Sequence, residues 1–287
     1  MYSDKQMVRY FDFSKYHGKG RQGSTNIRVD QMVKYWPQAE LYKYGEKADV
    51  LIFQKVYVLA DYQFPVHYKG IKILDVCDPD WLSTWIHIVE TCNAMDAITC
   101  PTQELADFIS QFHDNVHVVP DRFDIEVIPV PKKHTGDAKT VVWFGYSHNA
   151  EVLKPAIPIL DKLNLNLIII SNEEPYVDRW SSRVKESWNT FVKYDEDTIY
   201  QELQKADYAL LPEGFRPVDI FKSNNKTIKA NLAGLPVAKD IDDMELYATA
   251  ENRQDWVDTN YASIQAEYNV IKSVEQMKGI INEVTNK

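Results

Sequence analysis

The chain of 287 residues has 45% hydrophobic and 26% charged residues and a formal charge of −10, ordinary values for a globular protein long enough for two α/β domains. The acidic excess excludes indiscriminate binding to nucleic acid or anionic membranes, which depends on a summed positive field. No run of eighteen apolar residues occurs, the start MYSDKQMVRYFDF lacks a signal-peptide layout, and Cys77, Cys92 and Cys100 show no CxxC pairing, so a cytoplasmic protein without disulfides or a zinc site is expected.

From the start, short β-rich runs alternate with amphipathic stretches, the pattern of βαβ units around a parallel sheet. Strands are predicted near residues 8–13, 40–44, 50–54, 72–76, 96–99 and 116–119. Directly after the first comes YHGKGRQGSTNIR, residues 16–28, where Gly18, Gly20 and Gly23 permit close backbone approach and Ser24 can cap a helix running through Ile27, Met32, Val33 and Trp36. Between Asp12 and Asp30 the charges are Lys15, Lys19, Arg21 and Arg28 with no acid, so the segment reads either as an anion-facing loop or as a flexible surface loop. It is not a dinucleotide fingerprint, because no acidic residue follows at the end of a clear second strand.

LDVCDPDW, residues 74–81, places Asp75, Asp78 and Asp80 at the carboxyl end of a strand, where open α/β sheets bind ligands. Asp78 suits a general base for an acceptor hydroxyl, or it only precedes Pro79 in a turn; Asp80 reads as the cap of the next helix. Thr102 can cap a helix with Leu105, Phe108, Ile109 and Phe112 on one face. His113 and His117 flank a turn and do not suggest a metal pair.

The polar segment PVPKKHTGDAKT, residues 129–140, reads as a linker between two α/β patterns. Beyond it strands are predicted near 141–144, 165–171, 188–193 and 208–211, with helices over 149–163 and 195–206. FGYSHNAE, residues 144–151, is a strand, a glycine turn and a helix start at Ser147 or His148, a second phosphate-facing loop. In FKSNNKTIKANLAGLPVA, residues 221–238, Ser223 and Asn224 can cap a helix that carries Asn225, Lys226 and Thr227 in its first turn and stops at Gly234. With Lys222 and Lys226 beside it, that terminus reads as an anion site or, equally, as a well-capped surface helix. The apolar spacing of Ile264, Tyr268, Ile271, Val274, Met277, Ile281 and Val284 predicts one long terminal helix.

In this order the segments resemble the group 1 glycosyltransferases of the GT-B fold. KADYALLPEGF and KSNNKTIKANLAGLPVA match that family's second-domain strand, helix and "aGlPVa" pieces, while HGKGRQGSTNIRVDQ, ITCPTQELADFI and VHVVPDRFD match first-domain pieces more loosely. The resemblance implies an α/β fold of two Rossmann-like domains facing a cleft. Its parts would be an acceptor domain at 1–133, a donor domain at 134–258, and a terminal helix at 259–287 packing back on the first domain. It implies a nucleotide diphosphate-sugar as co-substrate, no metal and no other cofactor. Gly18, Gly20, Arg21, Ser147, His148, Lys222, Ser223, Asn225, Lys226 and Thr227 would then face the donor diphosphate, Glu213 and Arg216 the sugar, and Asp78 the acceptor. The acceptor would be a saccharide or, alternatively, a hydroxylated pyrimidine in phage DNA; a non-catalytic sugar-nucleotide binding module is a further reading. Retaining members often carry two glutamates eight positions apart, and here those positions are Phe221 and Lys229. With Asp78 as a base, inversion fits better than retention.

Overall fold

The computed structural model describes residues 6–12, 14, 23–60, 62–82, 84–175 and 189–286. The chain divides into two compact units, one of Met1–Asp124, Ile220–Ser223 and Tyr268–Lys287, the other of Ile125–Asp219 and Asn224–Glu267.

The first unit holds a parallel sheet of β1 (Val8–Asp12), β2 (Ala39–Leu41), β3 (Val50–Gln54), β4 (Ile71–Asp75), β5 (Ala97–Cys100) and β6 (Val116–Val118), in the order β2-β1-β3-β4-β5-β6. Its central strands are apolar on both faces because side chains alternate with period two and both faces are covered. Val8, Tyr10, Ile52, Ile73 and Ala97 pack with Met32, Trp36 and the helix Val270–Thr285. Phe11, Leu51, Phe53, Leu74 and Ile98 pack on the opposite face with Cys92, Leu105 and Ile109.

The second unit repeats the plan with β7 (Thr140–Phe144), β8 (Asn166–Ser171), β9 (Asn189–Lys193), β10 (Tyr208–Leu210) and β11 (Val237–Ala238), all parallel, in the order β11-β10-β7-β8-β9. The helix Asn225–Leu232 buries Ile228, Ala230 and Leu232 and stops at Gly234, which has φ +80°. Residues 129–140 belong to this unit: the Lys132 ammonium donates to the carbonyls of Gln204 and Ala206, and the His134 imidazole bonds the Gly234 carbonyl at 2.8 Å.

Several elements differ from the sequence expectation. The terminal helix is two helices, Ala250–Glu267 and Val270–Thr285, because Asn269 takes an extended backbone and caps the second by accepting from the Ile271 N–H at 3.0 Å. The helix expected over 149–163 is a 3-10 turn, Ser147–Leu153, followed by Ile157–Lys162, with Pro158 in its first turn. Near Ser24 the chain coils as Gly23–Thr25, a π-helical stretch Asn26–Asp30, and Gln31–Tyr35. Thr102 caps as expected, accepting from the Leu105 N–H at 3.3 Å.

Candidate functional site

Both sheets reverse their strand order once, between β1 and β3 in the first unit and between β7 and β10 in the second. Ligands of open α/β sheets bind outside the carboxyl ends of the strands at such a reversal. Each unit therefore has one end at which chemistry is expected.

In the second unit, the carboxyl end of β7 runs through Trp143 and Phe144 into Gly145, whose φ is +155°. A Cβ there would lie 3.2 Å from the Trp143 ring, tighter than ordinary contact, and 3.6 Å from the Lys226 ammonium, so the lysine reaches the strand end beside this glycine. Lys226 Nζ also sits over the Trp143 ring, 5.6 Å from its centroid. Lys226 belongs to the first turn of the Asn225–Leu232 helix, and Asn224 before it makes no side-chain cap bond. The helix itself supplies no acceptor for the first-turn N–H groups of Asn225, Lys226 and Thr227. The side-chain cap expected of Ser223 or Asn224 is absent for a physical reason. Ser223 donates its hydroxyl to Asp121 at 2.5 Å, and both it and the exposed Lys222 group with the first unit.

Other residues named from the sequence are placed as follows. The Ser147 N–H donates to Asn172 Oδ1 at 2.9 Å, and the His148 ring stacks on Tyr146 with centroids 5.7 Å apart. Arg216 donates to both carboxylate oxygens of Asp219 and, at 3.0 Å, to Asn149 in the Ser147–Leu153 turn, so the loop after β10 is tied to the turn after β7. Glu213 is exposed and pairs with Lys239 at 2.8 Å. Lys229 is buried, bonding Glu196 at 2.7 Å and Tyr194 at 3.0 Å. Burial lowers its pKa, against the opposing pull of Glu196. Gly18, Gly20 and Arg21 lie outside the described residues.

In the first unit, two charged clusters occupy the carboxyl ends of β3 and β4. Buried Arg28 forks onto Asp75 (Nη2 to Oδ1 2.6 Å, Nε to Oδ2 2.8 Å) and donates to Asp121 Oδ1 at 2.8 Å and the Val119 carbonyl at 2.9 Å. Thr99 donates to Asp75 Oδ1 at 2.7 Å, so Asp75 is consumed in structure. Nearer the surface, Lys55 bridges Asp78 Oδ2 at 2.8 Å and Asp80 Oδ2 at 3.1 Å, and the Tyr57 hydroxyl donates to Asp80 at 3.1 Å. The expected cap role of Asp80 gives way to this ion pair: its carboxylate is drawn to Lys55 and Tyr57, although it does begin the short turn Asp80–Leu82. Burial raises the Asp80 pKa, opposed by Lys55. Burial alone would lower the pKa of Lys55, but Asp78 and Asp80 outweigh it and the net direction is up. The Asp78 side chain is 42% exposed.

Sequence reading did not single out Lys55, Tyr57, or Asp121. The one available signal was a lysine directly after an entirely buried strand, VLIFQ. His113 and His117 are used locally, on the Met95 carbonyl and Asn115. Among the described residues no group of three or more His, Cys, Asp or Glu is placed to hold a metal ion, and no helix is long and apolar enough to cross a membrane.

No known protein family profile matches the chain, and no curated protein matches it in sequence. Solved structures do match. AviGT4, a glycosyltransferase involved in avilamycin A biosynthesis, is 10% identical with a TM-score of 0.65, over 98% of this chain and 99% of that one. The alpha-glucosyltransferase AGT, solved in complex with UDP, is 11% identical with a TM-score of 0.60, over 94% and 95%. TarM is 13% identical with a TM-score of 0.60; the match takes in 81% of this chain, which spans only 54% of TarM. At such identities the likeness concerns fold, and two parallel-sheet units, each with one strand-order reversal, are what it rests on. The chain has the fold of the GT-B glycosyltransferases.

Proposed function

We propose that the chain transfers a sugar from a nucleoside diphosphate-sugar to an acceptor hydroxyl. The observation that carries this reading is Lys226, seated beside Gly145 at the carboxyl end of β7 on a helix start without a side-chain cap. When the bond from the anomeric carbon to the diphosphate breaks, its electron pair leaves with the diphosphate. A fixed ammonium and oriented N–H groups stabilise the charge that gathers there. Asp78 takes the proton of the acceptor hydroxyl as its oxygen bonds the anomeric carbon, a direct displacement with inversion. The residues named for the diphosphate need no metal in this scheme, so transfer should persist in EDTA. AGT was solved with UDP, which makes UDP-sugars the first donors to try.

A saccharide acceptor is favoured over DNA. Between Lys72 and Arg122 the sequence has no Lys or Arg, so this stretch offers no cation for a phosphate backbone, and Lys55, which reaches Asp78 from outside it, is buried and engaged by Asp78 and Asp80. The same stretch exposes Leu82, Val89 and, at 95%, Trp85, whose indole suits the C–H face of a sugar ring.

Thermal unfolding with UDP, GDP, ADP and their sugar conjugates tests the donor site. A ligand at a hundred times its Kd stabilises by about 2.7 kcal/mol, a shift of several degrees for a chain of this size. Lys226→Ala should remove that shift and leave the unliganded Tm within about 2 °C. No shift with any diphosphate in a cooperatively melting protein would end the transferase reading. Binding without turnover across an acceptor screen would leave a non-catalytic sugar-nucleotide module.

A further inference from the structure

Lys55 is one of two non-glycine residues with positive φ among those described, the other being Asn164. Asparagine tolerates the left-handed region; lysine at φ +53° is strained there and persists only where its surroundings fix it. The fixing groups are visible. The Lys55 N–H donates to the Asp75 carbonyl at 3.0 Å, turning the chain at the end of β3, and the side chain, 10% exposed, runs beneath the loop after β4. Its ammonium meets Asp78 Oδ2 at 2.8 Å and Asp80 Oδ2 at 3.1 Å. Tyr57 holds Asp80 from the side, and buried Cys77 is a further titratable neighbour. Asp78 Oδ1 has no hydrogen-bond partner among the described residues, and Asp78 is the most exposed member of the cluster, at 42% against 25% for Asp80.

We propose that Lys55 is the positioning residue of Asp78: it pins Oδ2 from the buried side and leaves Oδ1 as the oxygen presented to the acceptor hydroxyl. Asp80 has a distinct part. It takes a second bond from the ammonium, at 3.1 Å, and so fixes the lysine beside Asp78. The inference rests on the reading of Asp78 as the base.

The test measures Asp78 twice. The crystal structure of Lys55→Met gives the placement of its carboxylate without any need for turnover, and kcat with the sugar nucleotide returned by the donor panel gives its role in transfer. In Lys55→Met the Asp78 carboxylate should leave its wild-type position, kcat should fall about tenfold or more with UDP affinity unchanged, and Lys55→Arg should partly restore both. Should Lys55→Met fail to fold, Lys55→Gln is read in the same way. An unmoved carboxylate overturns the proposal. So does a displaced carboxylate beside an unmoved kcat when Asp78→Asn is inactive. Full activity in Asp78→Asn, or no turnover with any donor while the carboxylate moves as expected, overturns the general-base or transferase reading instead and leaves Lys55 as the anchor of Asp78.

Discussion

Two hydrogen bonds hold the His134 imidazole, and only its neutral form can make both. Nε2–H donates to the Gly234 carbonyl at 2.8 Å, and Nδ1 accepts from Arg253 Nε at 3.3 Å. Arginine does not give up its proton, so a second proton on the ring would replace an acceptor with a cation facing a cation. Burial, then Arg253 and Lys132, lower the His134 pKa despite the opposing bond to Gly234. A folded-state pKa below the unfolded value near 6.5 means that the unfolded chain binds more protons, so stability is lost as pH falls from about 6.5 toward the depressed value. The slope cannot exceed about 1.4 kcal/mol per pH unit from this one group. Urea unfolding of wild type and His134→Gln between pH 7.5 and 5.5 checks it: the wild-type free energy should fall with acid, and the variant, weaker at pH 7.5, should show a flatter dependence. Equal slopes would remove His134 from the account. At this scale the sequence was only partly legible. The positions of Asp78, just past the end of β4, and of Lys226, in the first turn of its helix, could be read because strand and helix runs end and begin there in the sequence. Arg28 and Lys55 could not be read in their roles, since their aspartates lie 47 and 23 residues away and no local spacing reports such pairs.

Among the elements, two glycines on helices carry opposite expectations. Gly234 follows the Asn225–Leu232 helix at φ +80°, and a Cβ there would fall 2.4 Å from the Lys132 backbone nitrogen and 2.8 Å from Pro131 Cβ. Neither neighbour is the end of a flexible side chain, so Gly234→Ala adds a clash to a left-handed backbone and should cost at least about 2 kcal/mol. Gly279 lies exposed inside the Val270–Thr285 helix with nothing within 4 Å of a built Cβ. Gly279→Ala should stabilise by roughly 0.5–1 kcal/mol, through helix propensity alone. Urea midpoints of the two variants should bracket the wild type; if Gly234→Ala matches it, the close packing of residues 131–132 on the helix end is not as described. The Gly234 stop was legible because a glycine followed a periodic run. The break at Asn269 was not, because apolar residues keep helical spacing straight through it: Ile264, Tyr268 and Ile271 give no sign that the chain is extended at 269.

For the whole molecule, the decisive feature is that the first unit is assembled from three separate stretches of chain. Its last piece, Val270–Thr285, buries Val270, Val274, Met277, Ile280 and Ile281 against Val8, Tyr10, Met32 and Trp36. Backbone bonds fasten its start, Phe123 N–H to the Tyr268 carbonyl at 2.8 Å and Val270 N–H to the Phe123 carbonyl at 2.9 Å. Arg122 adds side-chain bonds to Ser273 at 3.2 Å and Gln276 at 3.1 Å. Five buried apolar side chains at about 1.5–3 kcal/mol each give an upper estimate near 7–15 kcal/mol, as large as the whole stability of an ordinary domain. The sheet of the first unit, though its strands are complete by residue 118, should therefore not fold cooperatively without residues 268–287. A chain ending at Glu267 should bind a hydrophobic dye strongly and lose the near-ultraviolet dichroism of Tyr10 and Trp36, and the missing piece added in trans as a peptide should restore part of it. A truncated chain with the dye response and cooperative unfolding of the full protein would mean that the first unit closes its core by other means, and that this helix covers the sheet without holding it together.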